Sequence, residues 1–183
     1  EHIERRSAVE NFLVLEDKTL IVEEKAAPQL SREREAEVGH RHGDVSRCKN
    51  LARVGHRMPL ARTGIGKALM LDDTQEEWQR LYEVSLPAGG KNQFWPQHPE
   101  QSWEQFQQRM VEYVAGGYAF DLEDNEPSIR CVAAPIRDAS KRIVAGISIA
   151  STVPYMPLEK MAELIPLIKG VTARLSAELG AKV

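Results

Sequence analysis

The chain has little cysteine and no long apolar run. Its two cysteines, Cys48 and Cys131, lie far apart with no framework spacing. That pattern does not support a disulfide scaffold, and a reducing cytoplasm is the simpler expectation. Nothing approaches the roughly 20 consecutive apolar residues a bilayer span needs, so no membrane partner is expected. The start, Glu1-His2-Ile3-Glu4-Arg5-Arg6, is charged and lacks the apolar core of a secretion signal. It also lacks Met, and the sequence is expected to be an excised part of something longer. A basic excess is missing too. The formal net charge is -3, whereas a free-standing duplex-DNA binder usually carries a basic stripe. No repeat or low-complexity tract is present.

What is there fits one soluble domain: 183 residues, 42% hydrophobic and 28% charged. Residues 11–24 read as two β-prone runs around Glu16-Asp17-Lys18, a hairpin. Residues 26–47 read as a long irregular connection, and 1–50 as a hairpin and loop belonging to the same domain as a core at 51–183. Residues 48–54 suggest a strand, and Gly55 to Pro59 a turn. Thr63 is placed to N-cap a short helix, and a second helix follows around Trp78, Leu81 and Tyr82. Residues 86–98 read as a loop. The spacing of Trp103, Phe106, Met110 and Val114 is helical and stops at Gly116-Gly117. Three strands follow, at 118–122, 129–136 and 143–150. The last two are apolar at nearly every position, which predicts burial on both faces or one face lining a cavity. From Leu158 to Leu179 an apolar stripe predicts an amphipathic helix that Pro166 should kink or divide. The order predicts an α+β fold, an antiparallel β-sheet flanked by α-helices.

Two segments are distinctive together. The first runs Arg53-Val54-Gly55-His56-Arg57-Met58-Pro59-Leu60-Ala61-Arg62-Thr63-Gly64-Ile65-Gly66-Lys67-Ala68. The second runs from Gly117-Tyr118-Ala119-Phe120-Asp121-Leu122-Glu123-Asp124 through Arg130-Cys131-Val132-Ala133-Ala134-Pro135-Ile136-Arg137-Asp138 to Ala145-Gly146-Ile147-Ser148. In order and spacing they resemble the C-terminal effector-binding domain of IclR-family transcription regulators, over about residues 51–180.

The resemblance implies a GAF/profilin-like fold and a pocket for a small carboxylate metabolite, a sugar acid being the first candidate, with no other cofactor. It implies a homodimer or homotetramer whose DNA contact comes only through a winged helix-turn-helix domain that nothing here resembles. By position, the implied ligand contacts are Met58, Gly64, Ile65, Asp121, Cys131 and Ser148. The chemistry suits the role. Gly64 and Gly66 let a ligand approach the backbone, and a helix start at Thr63 favours an anion. Asp121 would accept from ligand hydroxyls and Ser148 donate to a carboxylate. Met58, Ile65, Val132 and Ile147 would exclude water. The chain departs from the family pattern at Ala150, where many relatives have serine, at Pro127-Ser128, where a glycine often precedes Arg-Cys, and at Arg62, where a small residue or His is common.

Plainer readings stand beside these. Thr63-Gly64-Ile65-Gly66-Lys67 is not a phosphate-binding Walker loop, and Lys67 reads as structural or surface. Cys131 reads as a buried small hydrophobe or a ligand contact, Glu123, Asp124 and Glu126 as a solvated acidic loop. His40, His42 and Cys48 lack a fourth ligand for zinc. No nucleophile–base pair is evident, so the expectation is a regulator and not an enzyme. The alternatives are a GAF-like enzyme using Cys131 and a ligand-free oligomerisation module.

Overall fold

A computed structural model of the protein describes residues 19–24, 35–42, 57–86 and 101–181, with only the backbone described in 19–24, 35–42 and at Arg57. Six strands form one sheet: β1 (Thr19–Glu24), β2 (Glu35–His42), β3 (Arg57–Pro59), β4 (Ala119–Leu122), β5 (Ile129–Arg137) and β6 (Ile143–Thr152). The order is β3-β2-β1-β6-β5-β4, and every pairing is antiparallel. Four helices flank it: α1 (Gly64–Leu69), α2 (Gln75–Ser85), α3 (Trp103–Gly116) and α4 (Leu158–Glu178). This is the α+β, GAF/profilin-like architecture expected from the sequence.

Side chains of β5 alternate between two cores, as the pleat requires. Val132, Ala134 and Ile136 join Ile147 and Ile149 of β6 against Met161, Leu164 and Ile168 of α4. Ala133 faces the opposite core, built from α1, Phe106 and Met110 of α3, and Trp78 and Leu81 of α2. The sheet is therefore sandwiched, which is why β5 and β6 are apolar on both faces.

Local signals place the helices. The Thr63 hydroxyl accepts from Gly66 N–H at 2.9 Å and opens α1. Ser102 and Gln105 close a capping box on α3, and Gly117, at φ 68°, ends it in the left-handed conformation.

Several expectations change. The hairpin across residues 16–18 gives way to β1 bonded to β2 on one edge and β6 on the other; its first arm, 11–15, lies outside the described residues. The supposed irregular connection at 26–47 contains β2. Its alternation is broken at Gly39, an extra residue between Val38 and His40 that bulges the ladder opposite Val22 and Glu23. Part of the expected turn at 55–59 is β3, an edge strand whose Pro59 needs no donor; the strand suggested at 48–54 lies outside the described residues.

Pro166 does not divide α4, which is continuous through it. Both Pro166 and Ala162, whose carbonyl loses its partner, lie on the exposed side, where water can serve that carbonyl. Leu158 and Leu179 sit at the two ends of the helix and are about half exposed. In α3 the buried position is Tyr113, while Val114 is exposed.

Two substitutions test this packing. A methyl at Gly66 would collide with the Leu60 carbonyl and lie 2.5 Å from Leu60 Cα. Gly66→Ala should therefore destabilise the domain by about 2 kcal/mol or more despite alanine's better helix propensity, as read by urea denaturation. Ser128 has φ 66°, a conformation that costs a β-carbon-bearing residue about 1–2 kcal/mol. Ser128→Gly should stabilise by about 1 kcal/mol; an equal or lower denaturation midpoint would contradict the assigned turn.

Candidate functional site

Register decides which expected residues meet. Asp121 on β4 stands beside Cys131 on β5, which stands beside Ala150 on β6. Ala119, Ala133 and Ser148 form the next row. Residues directly opposite across a ladder share a face, so Asp121, Cys131 and Ser148 lie on one side of the sheet. The start of α1 covers that side. A methyl at Gly64 would run into Cys131 Sγ and sit 3.5 Å from Ala133 Cβ. A methyl at Gly146 would lie 2.9 Å from Ile65 Cγ2. Glycine at 64 and 146 is what allows α1 to rest this close to the strands.

The structure thus brings together Gly64, Ile65, Asp121, Cys131 and Ser148. Met58 belongs to the same apolar core, but it is on β3, at the far edge of the sheet. Val132 and Ile147, expected as walls, face α4 on the other side. That is a correction: in a strand the neighbour of a site residue points away from the site.

The polar groups here are deeply buried. Ser148 is 1% exposed and Asp121 6%. Asp121 Oδ1 accepts the backbone N–H of Asp124 at 2.8 Å. Burial pushes the Asp121 carboxyl up to about 7, with Asp124 adding to the rise and Lys67 opposing it. Burial also pushes the Cys131 thiol up, with the Asp121 charge adding to it. Cys131 is therefore a protonated thiol at neutral pH, poorly suited to nucleophilic or redox chemistry. The Ser148 hydroxyl has no hydrogen-bond partner among the described residues, an exception that calls for a reason in a buried group.

Beside the site lies a charge cluster that the sequence reading missed. Lys67 is fully buried on α1. Its Nζ donates to Asp124 Oδ2 at 2.5 Å and to the Phe120 carbonyl at 3.1 Å. Arg109 of α3 donates to both Asp124 oxygens at 3.0 and 3.2 Å. Asp124 is therefore not part of a solvated acidic loop. Burial alone would raise its carboxyl, but Lys67 and Arg109 outweigh that and hold it below the usual range. Burial alone would likewise lower the Lys67 ammonium, but Asp124 and Asp121 hold it above its ordinary value. Glu123 pairs with Arg130 at 2.9 Å at the edge of the same turn. The available signal was spacing: Asp124 three residues after Asp121, and a lysine amid the apolar residues of α1.

A cavity of about 20 Å³ opens between the β3–α1 turn (Ala61, Arg62), the end of α2 (Tyr82, Ser85, Leu86), Gln101 and Asp124. That is room for a water and no more. None of the six expected contacts lines it. Among the described residues no group of His, Cys, Asp and Glu is arranged to hold a metal, and the His40, His42 and Cys48 side chains lie outside them. No helix among those residues is long and apolar enough to cross a membrane.

The Asp121 environment has a pH signature. A carboxyl raised on folding contributes stability that is present below its ordinary value and lost as pH rises through about 7. Asp124, lowered on folding, acts in the opposite sense. Asp121→Asn removes the first effect only. Its stability relative to the parent should climb between about pH 4 and pH 7 and level off above that. Denaturant melts across the range measure it, and a constant difference would contradict a buried neutral Asp121.

Comparison with known proteins agrees with this architecture. The family description "Bacterial transcriptional regulator IclR C-terminal" matches residues 31–177. The chain is 25% identical over 141 residues to the HTH-type transcriptional regulator KdgR of Escherichia coli, covering 77% of this chain and 52% of that protein. It is 28% identical over 139 residues to the HTH-type transcriptional repressor AllR of Klebsiella pneumoniae, covering 74% and 49%. The chain thus spans about half the length of these relatives, which are named as transcriptional regulators. The C-terminal domain of E. coli KdgR superposes with a TM-score of 0.66 at 22% identity, over 90% of this chain and 88% of that one. The Thermotoga maritima IclR superposes at 0.71 and 22%, over 90% and 62%. With its motifs, its sheet order and a match across most of its length in agreement, the chain belongs to the IclR family of bacterial transcriptional regulators, within their C-terminal domain.

Proposed function

We propose that this chain is the effector-binding part of a DNA-binding transcription regulator. A small carboxylate metabolite, a sugar acid first among candidates, binds between the start of α1 and the strands, against Gly64, Ile65, Asp121, Cys131 and Ser148; α1, which packs in contact with Cys131 and Gly146, moves outward to admit it. The observation that carries the reading is the Ser148 hydroxyl, 1% exposed and without a partner among the described residues. It lies on the face of the sheet where Asp121 and Cys131 stand and where glycine replaces a side chain. A ligand oxygen would satisfy it, and the apolar surroundings with few polar groups suit a small-molecule site. Met58 and the boundary of the domain near residue 51 remain parts of this proposal.

Ligand binding works by population shift. An arrangement of the subunits that binds the acid better is enriched, and operator affinity changes with it. DNA is contacted by a winged helix-turn-helix domain not contained in these 183 residues, in a cytoplasmic homodimer or homotetramer. Val111 and Val114, exposed one turn apart on α3, supply apolar surface for subunit pairing.

The test is a thermal-shift screen against sugar acids, keto acids and aromatic acids. An acid at 100 times its dissociation constant should add about 2.7 kcal/mol of stability. Asp121→Ala should abolish the shift. Ser148→Ala should reduce it while leaving the unliganded domain as stable as the parent or slightly more so, because it deletes an unsatisfied buried hydroxyl. Absence of any shift, with the protein folded and assembled, would favour an oligomerisation module.

A further inference from the structure

Building on the reading of Asp121 as a ligand contact, we propose that Asp124 is a positioning residue for it. Asp124 takes up both Lys67 and Arg109 and thereby leaves Asp121 to meet the ligand's carboxylate as a hydrogen-bond donor.

In a dry space the balance of charges decides which carboxyl is ionised. Among the described residues, Lys67 of α1 and Asp124 of the following turn act on Asp121, Cys131 of β5 stands beside it, and Tyr113 and Arg109 of α3 lie against the Lys67–Asp124 pair. Cys131 is a thiol, and burial pushes the Tyr113 phenol up to about 12, so both are neutral. Of these described groups, two cations and two carboxyls remain. The geometry commits both cations to Asp124: Lys67 at 2.5 Å, Arg109 at 3.0 and 3.2 Å. Another Lys67 donor goes to the Phe120 carbonyl at 3.1 Å. Among the described residues Asp121 receives backbone N–H groups only, that of Asp124 at 2.8 Å, with that of Asn125 also directed at it. A second buried carboxylate with no cation in hydrogen-bonding reach keeps its proton.

The same link occupies one oxygen. Oδ1 accepts from Asp124 N–H, which favours Oδ2 as the oxygen that carries the proton. An arriving carboxylate then gains a charge-assisted hydrogen bond from Asp121 rather than repulsion. Deprotonating Asp121 would place two anions side by side. The role is the reverse of the acceptor expected from the sequence, and it makes binding of an acid proton-dependent near neutral pH.

The experiment follows the Asp121 carboxyl through a pH titration by carbon-13 NMR in the full chain, with no ligand present. The parent should titrate near neutrality. Asp124→Asn frees Lys67 for Asp121 and should lower that midpoint by about one pH unit or more. Lys67→Met removes the shared cation and should raise it. Simple loosening of the fold would move both variants down together, toward a solvated aspartate, and that result, or no movement in either, would overturn the proposal. If Lys67→Met does not fold, Arg109→Gln replaces it. Its side chain is 30% exposed, and its loss throws Asp124 more fully onto Lys67. The Asp121 midpoint should then stay at or above the parent's, and a fall would overturn the proposal. The acid screen fails or succeeds separately. Opposite titration shifts together with an acid screen in which nothing binds would sink the ligand reading while leaving the hold of Asp124 on the Asp121 proton established.

Discussion

A lysine ammonium taken wholly out of water must find its counter-charge inside the protein, and this demand of Lys67 shapes the region around α1. Removing one partner of such a pair costs about 3–5 kcal/mol, because it strands the other charge. Asp124 answers the demand from the turn after β4, and Arg109 answers Asp124 in turn from α3. Three elements distant in sequence are therefore held at one point. The Phe120 carbonyl adds a fourth tie, into β4 itself. An apolar residue at 67 would pack as well against the strands, but it would not fix the turn whose backbone N–H holds Asp121.

The second constraint is closeness. α1 is only six residues long and every one of them is buried, so its position is set by contact rather than by its own helical stability. Gly64 meets Cys131, Gly66 meets Leu60, and Gly146 of β6 receives Ile65. Small residues on the strands, Ala119 and Ala133, extend the same fit. The outer end of the layer is fastened differently. Arg137 grips Asp72 through two hydrogen bonds of 2.6 and 2.8 Å, while its backbone N–H donates to Ser176 of α4 at 2.9 Å. That clasp joins the end of α1, the β5–β6 hairpin and the far face of the sheet.

How much of this was legible follows from how local each signal is. Thr63, Ser102 with Gln105, and Gly117 act within a turn of their own helix, and they could be read directly. The β5–β6 pairing could be read because both strands are buried on two faces and short apolar runs of that kind have few other uses. β2 was illegible because its residues, Glu-Ala-Glu-Val-Gly-His-Arg-His, are mostly charged or polar and the bulge at Gly39 shifts its register midway. Pro166 misled because proline's effect depends on which side of a helix it faces, something the apolar stripe shows only in outline. The site residues came from motif resemblance, and register then showed why Asp121, Cys131 and Ser148 share a face. The charge cluster was hidden because its members span 57 residues between Lys67 and Asp124, and an acid in a run of acids reads as solvated until its partners are seen.

These constraints act together on the chemistry of the site. A buried carboxyl raised to about 7, a neutral thiol and a hydroxyl with no partner among the described residues make a region rich in donors and poor in fixed charge. Such a surface gains most from a ligand that brings the negative charge with it, because the ligand's oxygens then satisfy donors that water cannot easily reach. The cations that would otherwise hold an acid tightly are already committed to Asp124. An arrangement of this kind would favour reversible binding over capture, as the proposed sensing role requires. The turn carrying Asp124 is anchored to both α1 and α3, so the charge on Asp121 sits beside the ties that fix those helices.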